Sequence, residues 1–541
     1  MRTRAKAVAA AITAVLTLVG ASACSSGPGN TGGSTAITVR GCTPQNPLIA
    51  TNTNEVCGGD PLDASEAKLV HYNTDTAAPE LDIASDISTT DSVHFTVTLN
   101  KGYKFQDGTE VKAHNFVDAW NWAADCANKQ VNASFFAPIE GFTDPTGAGC
   151  STTSTMSGLD VVDDYTFTIT TADPTSNLEV RLGYTAFAPQ PDAFFNDTSD
   201  GKADFAKLPI AAGPYQVTEN SDTQIVLTKF ADYSGKYAGV PDTVTFVIYA
   251  DTSTAYQDVV ANHLDMTDVI PPDMLTGDTW KKDLVTDSGD ARWGTKDTGV
   301  IQVLSFAPAT VDPQLSDPRI RQAISMAVNR QEITDVVFNG NRTPATGWVS
   351  PAADGYKAGA CPFCVFDKDK AKELYDAAGG YKGTFSIWLN ADGPHMEWIT
   401  AVCNQLKVNL GMDCVVQTTP DFATLRTKIQ NRELTGMYRG GWQMDYPSIE
   451  NFLAPIYATG AASNDSDYSN PQFDSLLKQA AAAPSNDAAN ALYQQAEALL
   501  GQDMPTMPVF YQQSQFGFST KVASIKMTPF STFDFGSVVF A

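Results

Sequence analysis

Strands and helices alternate along almost the whole chain, and that alternation predicts an α/β protein. Two further observations support the class. Apolar residues make up 43% and aromatics 10% of the sequence, enough for well-packed cores. At 541 residues the chain is too long for a single core and predicts two or three lobes. No internal repeat is visible.

The elements follow in order. Residues 93–99 (VHFTVTL) alternate apolar and polar side chains and predict a strand. Asp107-Gly108 marks a turn in the loop 101–110. Apolar residues at helical spacing predict a helix over 113–127. Residues 161–170 read as a hairpin with Asp163-Asp164 at its turn. A Pro/Gly-rich stretch, 209–217, leads into a strand at 224–229. Further strands are expected at 244–249, 301–306, 415–418 and 438–442. Helices are expected at 253–260, 367–378, 395–410, 422–432 and 486–500. Asp317 as N-cap and Pro318 at the first helical position open a long helix predicted to reach Val337.

The N-terminus carries its own signal. Arg2, Arg4 and Lys6 precede an apolar stretch, 7–20, and the small residues Ala21-Ser22-Ala23. The apolar stretch is too short to span a bilayer and predicts a removable signal peptide over 1–23. Cys24 follows directly, which resembles the bacterial lipobox, where the thiol receives a diacylglycerol and the mature protein carries palmitate-type chains. Two acyl chains anchor stably where one does not. Ala21-x-Ala23 also suits ordinary signal peptidase. Cysteine parity favours the lipid, because nine cysteines less Cys24 leave an even number for an oxidising compartment. Residues 24–36 are Ser/Gly-rich and predict a lipid-anchored flexible tether. They contain Gly27-x-Gly29-x-x-Gly32, but no strand precedes that match and no helix follows it, so it is read as coincidence. The expected location is the outer face of the cytoplasmic membrane, with the membrane touched only through the lipid.

The formal charge is −26. A surface this acidic repels nucleic acid and anionic headgroups, so no nucleic-acid partner is expected. Solubility is its plainest use. The remaining cysteines fall into neighbouring pairs: Cys42 and Cys57, Cys126 and Cys150, Cys361 and Cys364, Cys403 and Cys414. Sequence alone does not fix the connectivity. Sequential pairing is expected, each pair stapling a separate loop and adding about 2–3 kcal/mol at most. Cys361-Pro-Phe-Cys364 also resembles a CxxC redox motif, but it lacks the strand before and helix after, and a structural staple is preferred. Zinc is disfavoured where thiols are consumed by disulfides.

Four segments together resemble one family, the oligopeptide- and dipeptide-binding lipoproteins of bacterial ABC importers (family 5 solute-binding proteins), most nearly those of actinobacteria. They are residues 102–120 (GYKFQDGTEVKAHNFVDAW), 208–215 (LPIAAGPY) followed by Asp232-Tyr233, 317–330 (DPRIRQAISMAVNR), and 439–446 (RGGWQMDY) followed by Asn451-Phe-Leu453. Residues 118–124 (DAWNWAA) and 344–348 (PATGW) carry the actinobacterial flavour. The resemblance implies a bilobal, periplasmic-binding-protein-like fold with an extra inserted domain, hinge-linked, with the ligand between the lobes. Lobe I would combine 37–85, 205–300 and 505–541, with an inserted domain at 86–204. Lobe II would be 301–504, and two crossings near Ile301 and Met507 would form the hinge. The implied partners are short peptides and the permease subunits of an ABC transporter, with the protein itself a monomer.

The resemblance also implies site residues. A peptide offers an ammonium, a carboxylate and repeated backbone groups. Asp445 matches the family aspartate that holds the ammonium. Gly441, Trp442 and Gln443, with Gly440, match the strand that pairs with the ligand backbone, which gives affinity without demanding particular side chains. Asn52, Thr53 and Asn54 match the opposite backbone contacts. Arg439 and Arg432 match arginines that meet the ligand carboxylate, for which a guanidinium fork is suited. Plainer readings stand beside these: Asp445 as a helix N-cap ahead of Pro447, Arg439 as a surface charge, Trp442 as core.

Other classes have weaker support. There is no HExxH and no GxSxG. Ser65-Glu-Ala-Lys68 fits SxxK, but SDN and KTG are absent. Histidines at 71, 94, 114, 263 and 395 are scattered and suggest no metal cluster. No catalytic residue, cofactor or metal is expected. The same fold carries haem, oligosaccharides or metal chelates in relatives, and a peptide-sensing receptor would use the same closure. A sugar site would stack aromatics and would need neither Asp445 nor Arg439.

Overall fold

The computed structural model describes residues 35–53, 56–143, 155–391, 395–420, 422–461 and 463–541. The signal peptide 1–23, Cys24, the tether as far as residue 34, Asn54 and Cys150 lie outside them. The expected tether ends one residue early, because Ala36 already begins a strand, Ala36–Gly41, pairing with Thr243–Ile248 in parallel.

One sheet, of eleven strands among the described residues, organises the body. At its middle lie two long antiparallel strands, Trp293–Phe306 and Thr506–Phe518. Met437–Gln443, Thr384–Asn390 and Asp413–Thr419 continue the sheet on one side. Met266–Thr267, Ala36–Gly41, Thr243–Ile248, Gln224–Lys229 and Tyr215–Asn220 continue it on the other. The long pair therefore serves both halves. Its register slips between Asp297 and Ile301 and again between Gln302 and Val303. Such bulges bend a strand and sharpen its twist where the two halves meet.

Separate cores sit against each half. Ile320, Ile324, Trp398 and Phe385 pack beside one, and Ile37, Val39, Tyr215 and Phe246 beside the other. A smaller antiparallel sheet, Ala84–Thr89, His94–Leu99, Thr166–Thr170 and Leu159–Asp163, holds its own core with the helix Ala113–Ala124. Trp120 is fully buried there and donates its indole N–H to the Phe187 carbonyl at 3.2 Å.

The helix expected from Asp317 to Val337 is two helices, Pro318–Met326 and Arg330–Phe338. Asp317 caps the first and Asn329 the second, accepting from the Glu332 N–H at 3.2 Å. Asparagine competes with the helical backbone in this way and restarts the helix. Arg330 fixes the break. It is 3% exposed and donates to the carbonyls of Pro508 and Ser325. Cys42–Cys57, Cys361–Cys364 and Cys403–Cys414 are disulfide-bonded. Cys126 is also disulfide-bonded, and its expected partner Cys150 lies outside the described residues.

Candidate functional site

The strand Met437–Gln443 is the spine of the site. Its register with the long central strand runs from Met437 opposite Phe306 to Gln443 opposite Val300. On its other edge the strand Thr384–Asn390 pairs only with Met437 and Tyr438. Among the described residues no strand pairs with that edge from Arg439 to Gln443. An unpaired edge presents N–H and C=O groups ready for another extended chain. Gly441 keeps the spine close to its neighbour, since a Cβ there would lie 2.9 Å from the Ile301 carbonyl oxygen.

One end of the spine is acidic. Asn451, 2% exposed in the helix Ile449–Tyr457, gathers three groups. Its side-chain oxygen accepts from the Trp442 indole N–H at 2.9 Å and from the Asp445 N–H at 3.0 Å. Its amide donates to Asp445 Oδ2 at 2.9 Å. The helix cap is Ser448, accepting from the Glu450 N–H, so Asp445 does not cap it. Burial pushes the Asp445 carboxyl up; the Asn451 bond opposes that, Glu450 adds to it and Arg181 opposes it. Among the described residues no cation forms an ion pair with Asp445. It faces a cavity of ≈ 320 Å³ whose walls include Tyr72, Tyr184, Gln443, Phe530 and Asp63. Tyr72 stacks on Phe530 at 5.2 Å and donates to the Val180 carbonyl at 2.6 Å.

Glu450, next to this site, is already engaged. Arg181 pairs with it at 3.2 Å, and Asn177 and Tyr446 donate to it at 2.8 and 2.6 Å. The Arg181 guanidinium lies 5.0 Å from the Tyr446 ring centre. These contacts join the segment 177–181 to the segment 446–450. Asp445 forms no such ion pair among the described residues.

The other end of the spine is basic. A second cavity, ≈ 250 Å³, is lined by Arg439, Gly440, Gly441, Trp442 and Arg426. The Arg439 guanidinium lies over the Phe422 ring at 5.4 Å. Arg426 pairs with Asp465. Trp442 is half-buried with its N–H committed to Asn451, so it is a cavity wall and not plain core.

The other sequence-predicted residues fall differently. Arg432 follows the helix Phe422–Gln430 with φ 58°, donates to the Ile429 carbonyl and pairs with Asp467, with Nε to Oδ2 at 3.1 Å. It lines neither cavity, because the left-handed turn sends it toward the loop that carries Asp467. Thr53 lines the Asp445 cavity, with its hydroxyl donating to the Ile49 carbonyl at 3.1 Å. Asn52 lines neither cavity, and Asn54 lies outside the described residues. In the SxxK segment Ser65 donates to the Leu62 carbonyl while Lys68 pairs with Asp63 at 2.7 Å, so serine and lysine do not meet. Among the described residues no three His, Cys, Asp or Glu side chains are arranged to hold a metal. Sequence reasoning missed Arg426, Tyr72, Tyr184 and Phe530 as walls, and missed Asn451 as an anchor although its motif was visible.

Residues 78–464 match the family described as bacterial extracellular solute-binding proteins, family 5 (middle). The chain belongs to this family. It is 24% identical to the periplasmic oligopeptide-binding protein OppA of Salmonella typhimurium, over 77% of this chain and 76% of that one. It is 26% identical to the periplasmic murein peptide-binding protein MppA of Escherichia coli, over 79% of each. The unliganded open form of MppA superposes with TM-score 0.80 at 22% identity, covering 94% of this chain and 97% of that one. The fold is the bilobal α/β fold of these binding proteins. No described helix is long and apolar enough to cross a membrane.

Proposed function

We propose that this protein captures short peptides between two lobes and delivers them to the permease of an ABC importer. The observation that carries the reading is Asp445, a largely buried carboxyl that forms no ion pair among the described residues, at the end of an open strand edge. A buried carboxylate calls for a charged, hydrogen-bonding partner, and a peptide ammonium supplies both. The ligand backbone adds to Arg439–Gln443 as an extra strand, and its carboxylate meets Arg439. Arg426, which shares that cavity, is the better second cation than Arg432. Arg439–Gln443 is four strand steps of about 3.3 Å, which sets a scale of about five residues. The oligopeptide and murein-peptide relatives support the same ligand class.

Lobe I is assigned to 37–85, 205–300 and 505–541, with 86–204 inserted, and lobe II to 301–504. The bulged pair Trp293–Phe306 and Thr506–Phe518 provides the hinge. Lipidation at Cys24 would hold the monomer at the membrane face, with the permease as its partner there. A binder of this kind releases peptides intact and turns nothing over. Native mass spectrometry of the body after Cys24, purified without refolding, tests the ligand class. A co-purifying set of peptide masses, lost in Asp445→Ala, is expected. A single haem or sugar mass would overturn it.

A further inference from the structure

A third cavity, in the half built around the strand Ala36–Gly41, adjoins the cavity that Asp445 faces and has no role in the binding mode described above. It measures ≈ 100 Å³ and shares Asp60, Asp63, Lys68, His71, Thr528 and Thr532 with the cavity that Asp445 faces. A water needs about 10–15 Å³ of such space, so the cavity suits several waters or the end of one long side chain, and not a peptide.

Its lining is rich in carboxyl groups. Asp60, Asp63, Glu66, Asp82 and Asp534 face it, against Lys68 and His71. Lys68 is committed to Asp63 at 2.7 Å. His71 is stacked on Tyr237 with ring centres 3.6 Å apart, and burial lowers its pKa, so it stays neutral at pH 7. Asp82 accepts from the Tyr103 hydroxyl and Asp534 from the Thr74 hydroxyl, contacts that do not neutralise charge. Glu66 stands apart. It is 6% exposed, and its Oε2 is buried with no hydrogen-bond partner among the described residues. Burial pushes its carboxyl up to about 8, so it is protonated and uncharged at pH 7 until a cation arrives to let it ionise, and burial pushes that of Asp82 up to about 6. Tyr215, Tyr233, Phe246 and Phe535 complete the wall, and aromatic faces attract cations.

We propose that this cavity receives an organic cation, the ammonium or guanidinium end of a ligand side chain, and so gives the binder a preference for a basic residue. The proposal rests on the peptide reading above. A metal ion does not fit, since among the described residues no three potential ligands converge. An anionic side chain is repelled by Asp60, Asp63 and Asp534, and an apolar one offers the Glu66 carboxyl nothing to pair with.

The test is calorimetry on the soluble body with alanine-based tri- to pentapeptides that carry lysine, norleucine or glutamate at each position in turn. At one position lysine is expected to bind about tenfold tighter than norleucine, with glutamate weakest. Glu66→Gln should bring the lysine-to-norleucine ratio close to one, with folding checked by its melting curve. Asp534→Asn should erode the same ratio if the first variant does not fold. Equal affinity for lysine and norleucine at every position, while the alanine peptides bind, would overturn the cation site and leave the peptide reading standing. Failure of every peptide would overturn both. Butylammonium and guanidinium, titrated alone, separate the sources: saturable binding lost in Glu66→Gln supports a site that also serves free amines.

Discussion

The compartment beside Trp442 carries Arg439 and Arg426, whereas the compartment beyond Gln443 carries Asp445, Asp60 and Asp63. One strand of uniform geometry joins them. The two ends differ in a further respect. Arg426 already has Asp465 and Arg439 already lies over Phe422, while Asp445 has only the Asn451 amide and no cation among the described residues. In the proposed binding mode, opposite signs at the two ends would give a bound peptide one direction, ammonium toward Asp445 and carboxylate toward Arg439. Unequal satisfaction makes the acidic end the one whose loss should matter most.

The comparison can be broken in order of effect. Asp445→Ala should weaken peptide binding by about 2–5 kcal/mol, well over tenfold, because it strands a buried ammonium. Calorimetry checks this, and equal affinity in the variant removes the assignment. Asn451→Ala should destabilise the fold by about 1–3 kcal/mol, since it leaves the Trp442 and Asp445 N–H groups without their acceptor. Denaturant melts read that loss, and wild-type stability would show that another group takes over. Arg439→Ala should cost about 1–2 kcal/mol in affinity for peptides with a free carboxylate and almost nothing for amidated ones. An equal loss for both would make Arg439 a packing residue.

A further effect, on stability and not on affinity, concerns pH. In the unfolded chain Glu66 and Asp82 release their protons near the ordinary 4.5 and 3.8, but the folded, ligand-free protein holds them up to about 8 and about 6. The folded state therefore binds more protons in between, so these groups make stability fall as pH rises through that window. Glu66→Gln should flatten the slope from about 4.5 to about 8 in thermal melts. An unchanged slope would show that burial at Glu66 is not its cause.

Much of the fold was legible because local signals agreed with the final packing. The strand over 93–99 and the hairpin over 161–170 lie within a residue or two of their expected bounds, and the helix expected over 113–127 starts at Ala113 but ends three residues early at Ala124. The long helix from Asp317 was misread because apolar periodicity continues across Asn329, and only the buried Arg330 shows why the chain must restart. Thr506–Phe518 escaped because its residues are buried on both faces over much of its length and so do not alternate. In the site, the segment from Arg439 to Asp445 could be picked out by its motif. The open edge could not, since it depends on where the strand Thr384–Asn390 stops pairing. Arg432 matched a family arginine as Arg439 did but at a spacing two residues short, and a left-handed backbone at Arg432 separates their surroundings. Glu66 carried no sequence signal, because its isolation comes from residues far along the chain.

The central claim is that Asp445 meets the ligand ammonium. It is tested most directly by measuring the cost of N-acetylating one peptide in the wild-type protein and again in Asp445→Ala. The account predicts a loss of about tenfold or more in the wild type and almost none in the variant, because the two changes remove the same interaction. An equal loss in both proteins would contradict it.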